Sequence, residues 1–167
     1  SLSSSSSPSS PLKGLSILEL GTGTGVVSIA ACMGGADKVI ATDYEDLALT
    51  FTNYAAKHLN GDYCHTSNNN LETALLDIAD FDTPLTQADI VVAADIMYEV
   101  RMGRALARRA VEALRRGSRV IVRDSSGRAG RPAFLQARQE LGVEGAAFVD
   151  TIGRTCSGPR NELICGK

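Results

Sequence analysis

Tryptophan is absent from this chain, and histidine occurs only as His58 and His65. Cys32, Cys64, Cys156 and Cys165 form no CxxC and stand at no ligand spacing from a histidine, so no zinc or other transition-metal site is expected. The same unpatterned cysteines read as thiols of a reducing compartment rather than as a disulfide framework. No apolar run approaches the roughly 20 residues that a membrane helix needs. An excess of one charge is lacking too. The formal net charge is −2, which gives no general attraction to nucleic acid or to a membrane surface. What remains is an ordinary balance, 44% apolar and 22% charged over 167 residues, enough for one domain with a core of useful size.

Residues 1–11 are nearly all serine, with two prolines. Such a stretch buries too little apolar surface to offset its ordering entropy, so residues 1–12 are expected to be a disordered tail and residues 13–167 the folded domain. The tail shares serine richness and a lack of acids with transit peptides, but it has no arginine and no amphipathic spacing, which favours a linker or tail. A cytoplasmic location is expected, with a mitochondrion or plastid as the alternative if a targeting segment lies further upstream.

Beyond the tail the pattern changes. Ser16–Leu20 reads as a short buried strand ending at glycines, Val26–Met33 as a helix stopped by Gly34-Gly35, and residues 38–42 as a second strand with Asp43 at its tip. Residues 46–60 read as a helix with Leu47, Phe51, Tyr54, Ala55 and His58 on one face. The segment 61–87 is poor in signal; residues 63–67 are a weak third strand and Asn68-Asn69-Asn70 a turn or loop. Residues 88–94 form a buried strand with Asp95 at its end. Residues 100–114 form a helix with Met102, Leu106, Ala110 and Ala113 facing in, Arg101, Arg104, Arg108 and Arg115 facing out, and Gly117 closing it. A strand at Arg119–Arg123, a helix near Arg131–Leu141 and two closing antiparallel strands at 146–152 and 162–165 complete the order. The implied fold is α/β: a doubly wound, Rossmann-like, mostly parallel sheet with a C-terminal antiparallel hairpin strand. In such sheets a ligand lies beyond the carboxyl ends of the strands, where the strand order reverses.

The residues at those strand ends carry the chemistry. Gly21-Thr22-Gly23-Thr24-Gly25 lets the chain turn sharply and lets a ligand touch backbone. A dinucleotide loop would read G-x-G-x-x-G; here the third glycine comes one residue early, and Glu19 stands two before the first. A carboxylate suits a pyrophosphate badly and suits a ligand with a positive amino group well, as in the methionine moiety of S-adenosylmethionine. Glu19, Gly21, Thr22, Gly23 and Gly25 are therefore candidates to hold that end. Asp43 can accept two hydrogen bonds from ribose hydroxyls, and Tyr44 can pack on adenine, with a helix N-cap as the plain alternative for Asp43. In Ala93-Ala94-Asp95-Ile96-Met97-Tyr98, the small Ala93 and Ala94 leave room beside a sulfonium. Asp95 can orient an incoming amine and Tyr98 can shape its pocket, against a cap and a packing residue as the plain alternatives.

These residues resemble those of the seven-β-strand S-adenosylmethionine-dependent methyltransferases that modify protein lysines. Their marks are an acid-x-Gly-x-Gly-x-Gly loop (Glu19 to Gly25), an acid after strand two (Asp43) and Asp-x-x-Tyr at strand four (Asp95 to Tyr98). Within the group the chain is most similar to the electron-transfer-flavoprotein β-subunit lysine methyltransferase type, through Asp95-Ile96-Met97-Tyr98-Glu99 and Gly130-Arg131-Pro132. The resemblance implies S-adenosylmethionine as cofactor and a protein substrate with an accessible lysine. It also leaves open methylation of a small-molecule amine or a nucleic acid, or a degenerate, non-catalytic member. The chain departs from relatives that carry tryptophans upstream of the first strand and after strand three, and from their N-terminal lid over the cofactor. The arginines crowding the second half are expected to be mostly solvated. Arg128 and Arg131 are expected to meet acidic groups flanking the target residue. Few aromatics stand among them to stack on bases, so nucleic acid is not the expected partner, and a monomer is favoured.

Overall fold

The computed structural model describes residues 10–59, 70–125 and 127–142. Five strands, β1 (Ser16–Leu20), β2 (Lys38–Asp43), β3 (Leu71–Leu75), β4 (Ile90–Ala94) and β5 (Arg119–Arg123), form one sheet in the order β3-β2-β1-β4-β5. All four pairings are parallel, for example Leu18 beside Ile40 and Val91. The strand order reverses between β1 and β4, which places the ends of those strands at the crevice where ligands of such sheets bind. The helices are α1 (Val26–Met33), α2 (Asp46–Leu59), α3 (Val100–Arg115) and α4 (Arg131–Leu141). No helix among the described residues is long and apolar enough to cross a membrane.

The core has two parts. Leu18, Leu20, Val91 and Ala93 pack with Leu106, Ala110 and Phe134 on the side covered by α3 and α4. Ile17, Val39 and Ile90 pack with Ala31 and Cys32 of α1 on the other. The inward stripe of α3 is as its sequence implied: Leu106, Ala110 and Ala113 are buried, and Arg101, Arg104, Arg108 and Arg115 are exposed. Gly117 follows in the left-handed conformation, φ 84°.

Three expectations need adjustment, while others concern residues that are not described. The strand placed at 63–67 and the closing pair at 146–152 and 162–165 lie outside the described residues. The third strand of the sheet is Leu71–Leu75, an edge strand whose Leu75 is 62% exposed, so it lacks the apolar alternation that marks a half-buried strand. The α2 stripe of Leu47, Phe51 and Tyr54 faces outward, while Leu49 and Thr52 are buried. The helix comes close to the glycine loop through Thr52, since a Cβ on Gly25 would stand 2.8 Å from Thr52 Cγ2, and it docks through Leu49 and Thr52. Lastly, Leu12 and Ser10, assigned to the tail, are held; Leu12 N–H donates to the Gly34 carbonyl (3.0 Å), and the Leu12 side chain packs against the α1 part of the core.

Between β3 and β4 the chain runs without a helix, and α3 holds it with polar groups. Arg109, fully buried, donates from Nε to the Ile78 carbonyl (3.0 Å), from Nη2 to the Asp80 carbonyl, and from Nη1 to Glu112 (2.6 Å). Glu112 in turn accepts the Leu85 N–H (2.8 Å). Every member of this set finds a partner, the condition under which a buried guanidinium is tolerated.

Candidate active site

The glycine loop is built over a buried acid. Glu19 Oε2 accepts Thr22 Oγ1 (2.8 Å), Ser28 N–H (2.9 Å) and Ser28 Oγ, so one carboxylate ties the loop to the first turn of α1. Burial pushes the Glu19 carboxyl above its usual range; hydrogen bonds from Ser28 and Thr22 pull the other way, and Asp43 adds to the rise. Glu19, expected to face a ligand's amino group, is tied through Oε2 to the loop and lies buried beneath it. Thr22 is also buried; its N–H donates to the Thr42 carbonyl (2.8 Å). Gly25 caps α1 at φ 83°, a conformation open to glycine.

Asp43, at the end of β2, reaches across to the loop. Its Oδ2 accepts the Gly23 N–H (2.9 Å) and its Oδ1 the Glu45 N–H (3.1 Å), leaving lone pairs on both oxygens for hydroxyl donors. Asp43 and Tyr44 line a cavity of about 320 Å³ with Gly21, Asp77, Ile78 and Tyr98. That volume lies in the range of small-molecule sites, about 300–1,000 Å³. Gly21, at φ 71°, faces Ile96 across the switch point; a Cβ there would come within 2.7 Å of Ile96 Cγ2. Asp77 and Ile78, at the true tip of the third strand, escaped the sequence reading, which put that tip at 67–70. The usable signal was the acid-apolar pair following Leu76.

Beyond β4 the chain bends through Asp95, whose φ of 56° is the one left-handed value among the described non-glycine residues. Aspartate visits this region more readily than most residues. Ala94, partly buried, ends the strand, and Tyr98, 57% exposed, stands at the cavity mouth. Asp95 accepts Arg128 Nε (2.9 Å) and Nη2 (2.5 Å), and the same guanidinium lies 4.2 Å from the Tyr98 ring centre. The Arg128 hydrogen bonds hold the Asp95 carboxyl below its usual range, and Asp95 raises Arg128 in return. Asp124, overlooked in the sequence, fixes the surroundings: it accepts Met97 N–H (2.8 Å) and Ser125 N–H (2.8 Å) and lies 3.6 Å from Arg128 Nε. Arg128 is thus engaged inside the site, whereas it was expected to meet acids of a partner. Behind it, Gly103 and Gly130 pack backbone to backbone, since a Cβ on Gly103 would collide with the Gly130 carbonyl.

A family model described as lysine methyltransferase matches residues 2–140. The chain belongs to that family. A comparison with curated protein sequences gives no match. Among solved structures, a TehB-like S-adenosylmethionine-dependent methyltransferase from Corynebacterium glutamicum superposes with TM-score 0.56 at 19% identity, over 78% of this chain and 66% of that one. Phosphoethanolamine N-methyltransferase 1 from Haemonchus contortus, in complex with phosphoethanolamine and S-adenosylhomocysteine, gives 0.53 at 16% identity over 70% and 23%. Magnesium protoporphyrin IX methyltransferase from Synechocystis gives 0.51 at 20% identity over 62% and 44%. The chain thus spans about a quarter to two thirds of these relatives' lengths. The shared fold is that of the S-adenosylmethionine-dependent methyltransferases, and S-adenosylmethionine is the cofactor that goes with it.

Proposed function

We propose that residues 13–167 form a methyltransferase domain that moves a methyl group from S-adenosylmethionine to a lysine ε-amine of a protein. The observation that carries this reading is the corner at the end of β4: Asp95 and Tyr98 together hold one cationic group beside the cavity. The cavity residues fit the cofactor. Asp43 has acceptor capacity for ribose hydroxyls, Ile78 and Tyr44 offer surfaces for adenine, Asp77 supplies a polar edge, and Gly21 and Gly23 bring backbone to the methionine end. Glu19 and Thr22 act on that end by shaping the loop. S-adenosylmethionine supplies a methyl group activated by its sulfonium.

The amine enters as an ammonium and loses its proton to water. Asp95, an exposed carboxylate with a cation beside it, is a poor proton acceptor near neutral pH. With the cofactor bound, the neutral nitrogen would take the methyl carbon as the carbon–sulfur bond broke with its electron pair left on sulfur, and Asp95 and Tyr98 would aim that nitrogen. The role of Asp95 and Tyr98 is orientation. The rate should rise with deprotonation of the substrate amine and show no separate acid limb assignable to an enzyme carboxylate; a profile with such a limb would place a general base in the site.

A protein substrate is supported by the family and by the ground beside the cavity. Arg101 lines both the cavity and a groove of about 410 Å³ shared with Arg104, Arg108 and Phe81. Among the described residues no carboxylate pairs with Arg101 or Arg104. A small-molecule amine is the rival reading; competition by free amines against a folded protein substrate separates the two.

The deciding measurement is calorimetric titration with S-adenosylhomocysteine, followed by transfer of labelled methyl to proteins of a cell extract and location of the modified residue by mass spectrometry. Asp43→Ala should weaken binding at least about tenfold, the worth of hydrogen bonds to a charged acceptor. Label on nucleic acid or on small amines alone would overturn the protein-lysine reading.

A further inference from the structure

Arg128 occupies the place that the proposed function gives to the substrate. Its guanidinium takes both oxygens of Asp95 and lies over the Tyr98 ring, the anion and the aromatic face that a lysine ammonium would use. Asp124, 2% exposed and locked by Met97 and Ser125 N–H groups, stands at 3.6 Å to keep the guanidinium there. A lysine ammonium on the same carboxylate edge and the same ring face would overlap the guanidinium and meet its like charge, so the two cations compete for one place. The pair is nevertheless open to water, with side-chain exposures of 51% for Asp95 and 30% for Arg128, so it can be displaced without unpacking the core.

The geometry points to Arg128 as the specificity-determining residue of the site: its guanidinium is a resident competitor that excludes free amines, and it yields to a lysine held in place by a docked protein. The inference rests on the amine reading of Asp95 and Tyr98 given above. Its physical basis is simple. A site that is mostly closed by its own side chain lowers the apparent affinity of every entering amine by the closed-to-open ratio. A free amine meets that reduction at its bulk concentration. A lysine on a bound protein meets it at an effective concentration in the millimolar range or above, because docking elsewhere has already brought it there.

The test uses the full chain saturated with S-adenosylhomocysteine and titrated with n-butylammonium, in wild type, Arg128→Gln, Arg128→Lys and the double variant Arg128→Gln/Asp95→Asn. Arg128→Gln should bind n-butylammonium about tenfold more tightly than wild type, corresponding to a site closed about nine-tenths of the time. Arg128→Lys keeps the charge but loses the fork, and should gain about threefold. The double variant should lose the gain, because the freed ammonium has no anion to meet. In methyl transfer to n-butylamine, kcat/KM should rise about tenfold in Arg128→Gln.

If Arg128→Gln and Arg128→Lys bind n-butylammonium no better than wild type while S-adenosylhomocysteine binding is unchanged, Arg128 is not a competitor and the inference fails alone. If the gain appears but survives Asp95→Asn, the amine is bound elsewhere, and both the inference and the role of Asp95 fail. Should Arg128→Gln unfold, the conservative Arg128→Lys decides: a gain supports the inference, and its absence overturns it.

Discussion

Two charged pairs, each with an arginine from the arginine-rich half of the chain, flank the cavity and differ in one respect. Arg109 is fully buried and ends on two carbonyls and Glu112; Arg128 lies at the surface and ends on Asp95 and the Tyr98 ring. The carboxylates divide in the same way. Glu19 is buried and tied through Oε2 to the glycine loop, and Asp95 is half exposed at the mouth. Burial therefore sorts the charges of this molecule by task. Those without water hold the cavity walls, and those with water are free to change partners. The carboxyl pKa shifts run in opposite directions from different causes, up for Glu19 by burial and down for Asp95 by its arginine.

This contrast can be broken at several points. Arg109→Met should cause the largest loss. Removing the guanidinium leaves the carbonyls of Ile78 and Asp80 without their donor and frees the segment that forms the cavity wall, at a cost of about 2–4 kcal/mol in denaturant unfolding. S-adenosylhomocysteine affinity should fall with it, because Asp77 and Ile78 are on that segment. An unchanged midpoint would put Arg109 among the ordinary solvated arginines. Arg128→Gln, by contrast, should leave the unfolding midpoint in place while it changes amine binding. A matching loss of stability would make both arginines structural.

Glu19→Gln tests the buried carboxylate through pH. The folded pKa of Glu19 is raised, so the stability it allows is full below the unfolded glutamate value, about 4.3, and is lost as pH rises through the folded value. The variant should remove that decline, visible as a flatter dependence of midpoint on pH above about 4.3. The smallest effect is expected at Arg104→Glu. This exposed change should leave stability and S-adenosylhomocysteine binding alone and weaken a protein substrate severalfold, an effect that added salt should erase.

Much of the frame was legible in the sequence, for reasons the structure makes plain. β1, β2 and β4 are buried on both faces and read as apolar runs; α3 has a clean stripe. Gly21, Asp43, Tyr44 and Tyr98 come together on one cavity, with Asp95 beside it. What escaped had no local signature. β3 is an exposed edge strand. Arg109 looks like its neighbour Arg108, and its position is betrayed only by helical spacing from buried Ala105 and Ala113. The α2 periodicity is misleading because Leu47, Phe51 and Tyr54 lie on the outer face, while the helix docks through Leu49 and Thr52, the latter close against Gly25. Asp124 could not be told from a strand-end cap until its partners, Met97 and Arg128, were brought beside it from other loops.

The left-handed turn at Asp95 has a consequence for which letters this position can spell. Two separate filters act there. The backbone admits glycine, asparagine and aspartate and rejects branched side chains, whatever the chemistry. The guanidinium opposite then asks for a carboxylate. Aspartate alone passes both, so drift at this position is confined to a very small alphabet: asparagine keeps the bend and loses the charge, while glutamate keeps the charge and strains the bend. A chain that carries asparagine or glycine here has kept its fold and given up its grip on a cation.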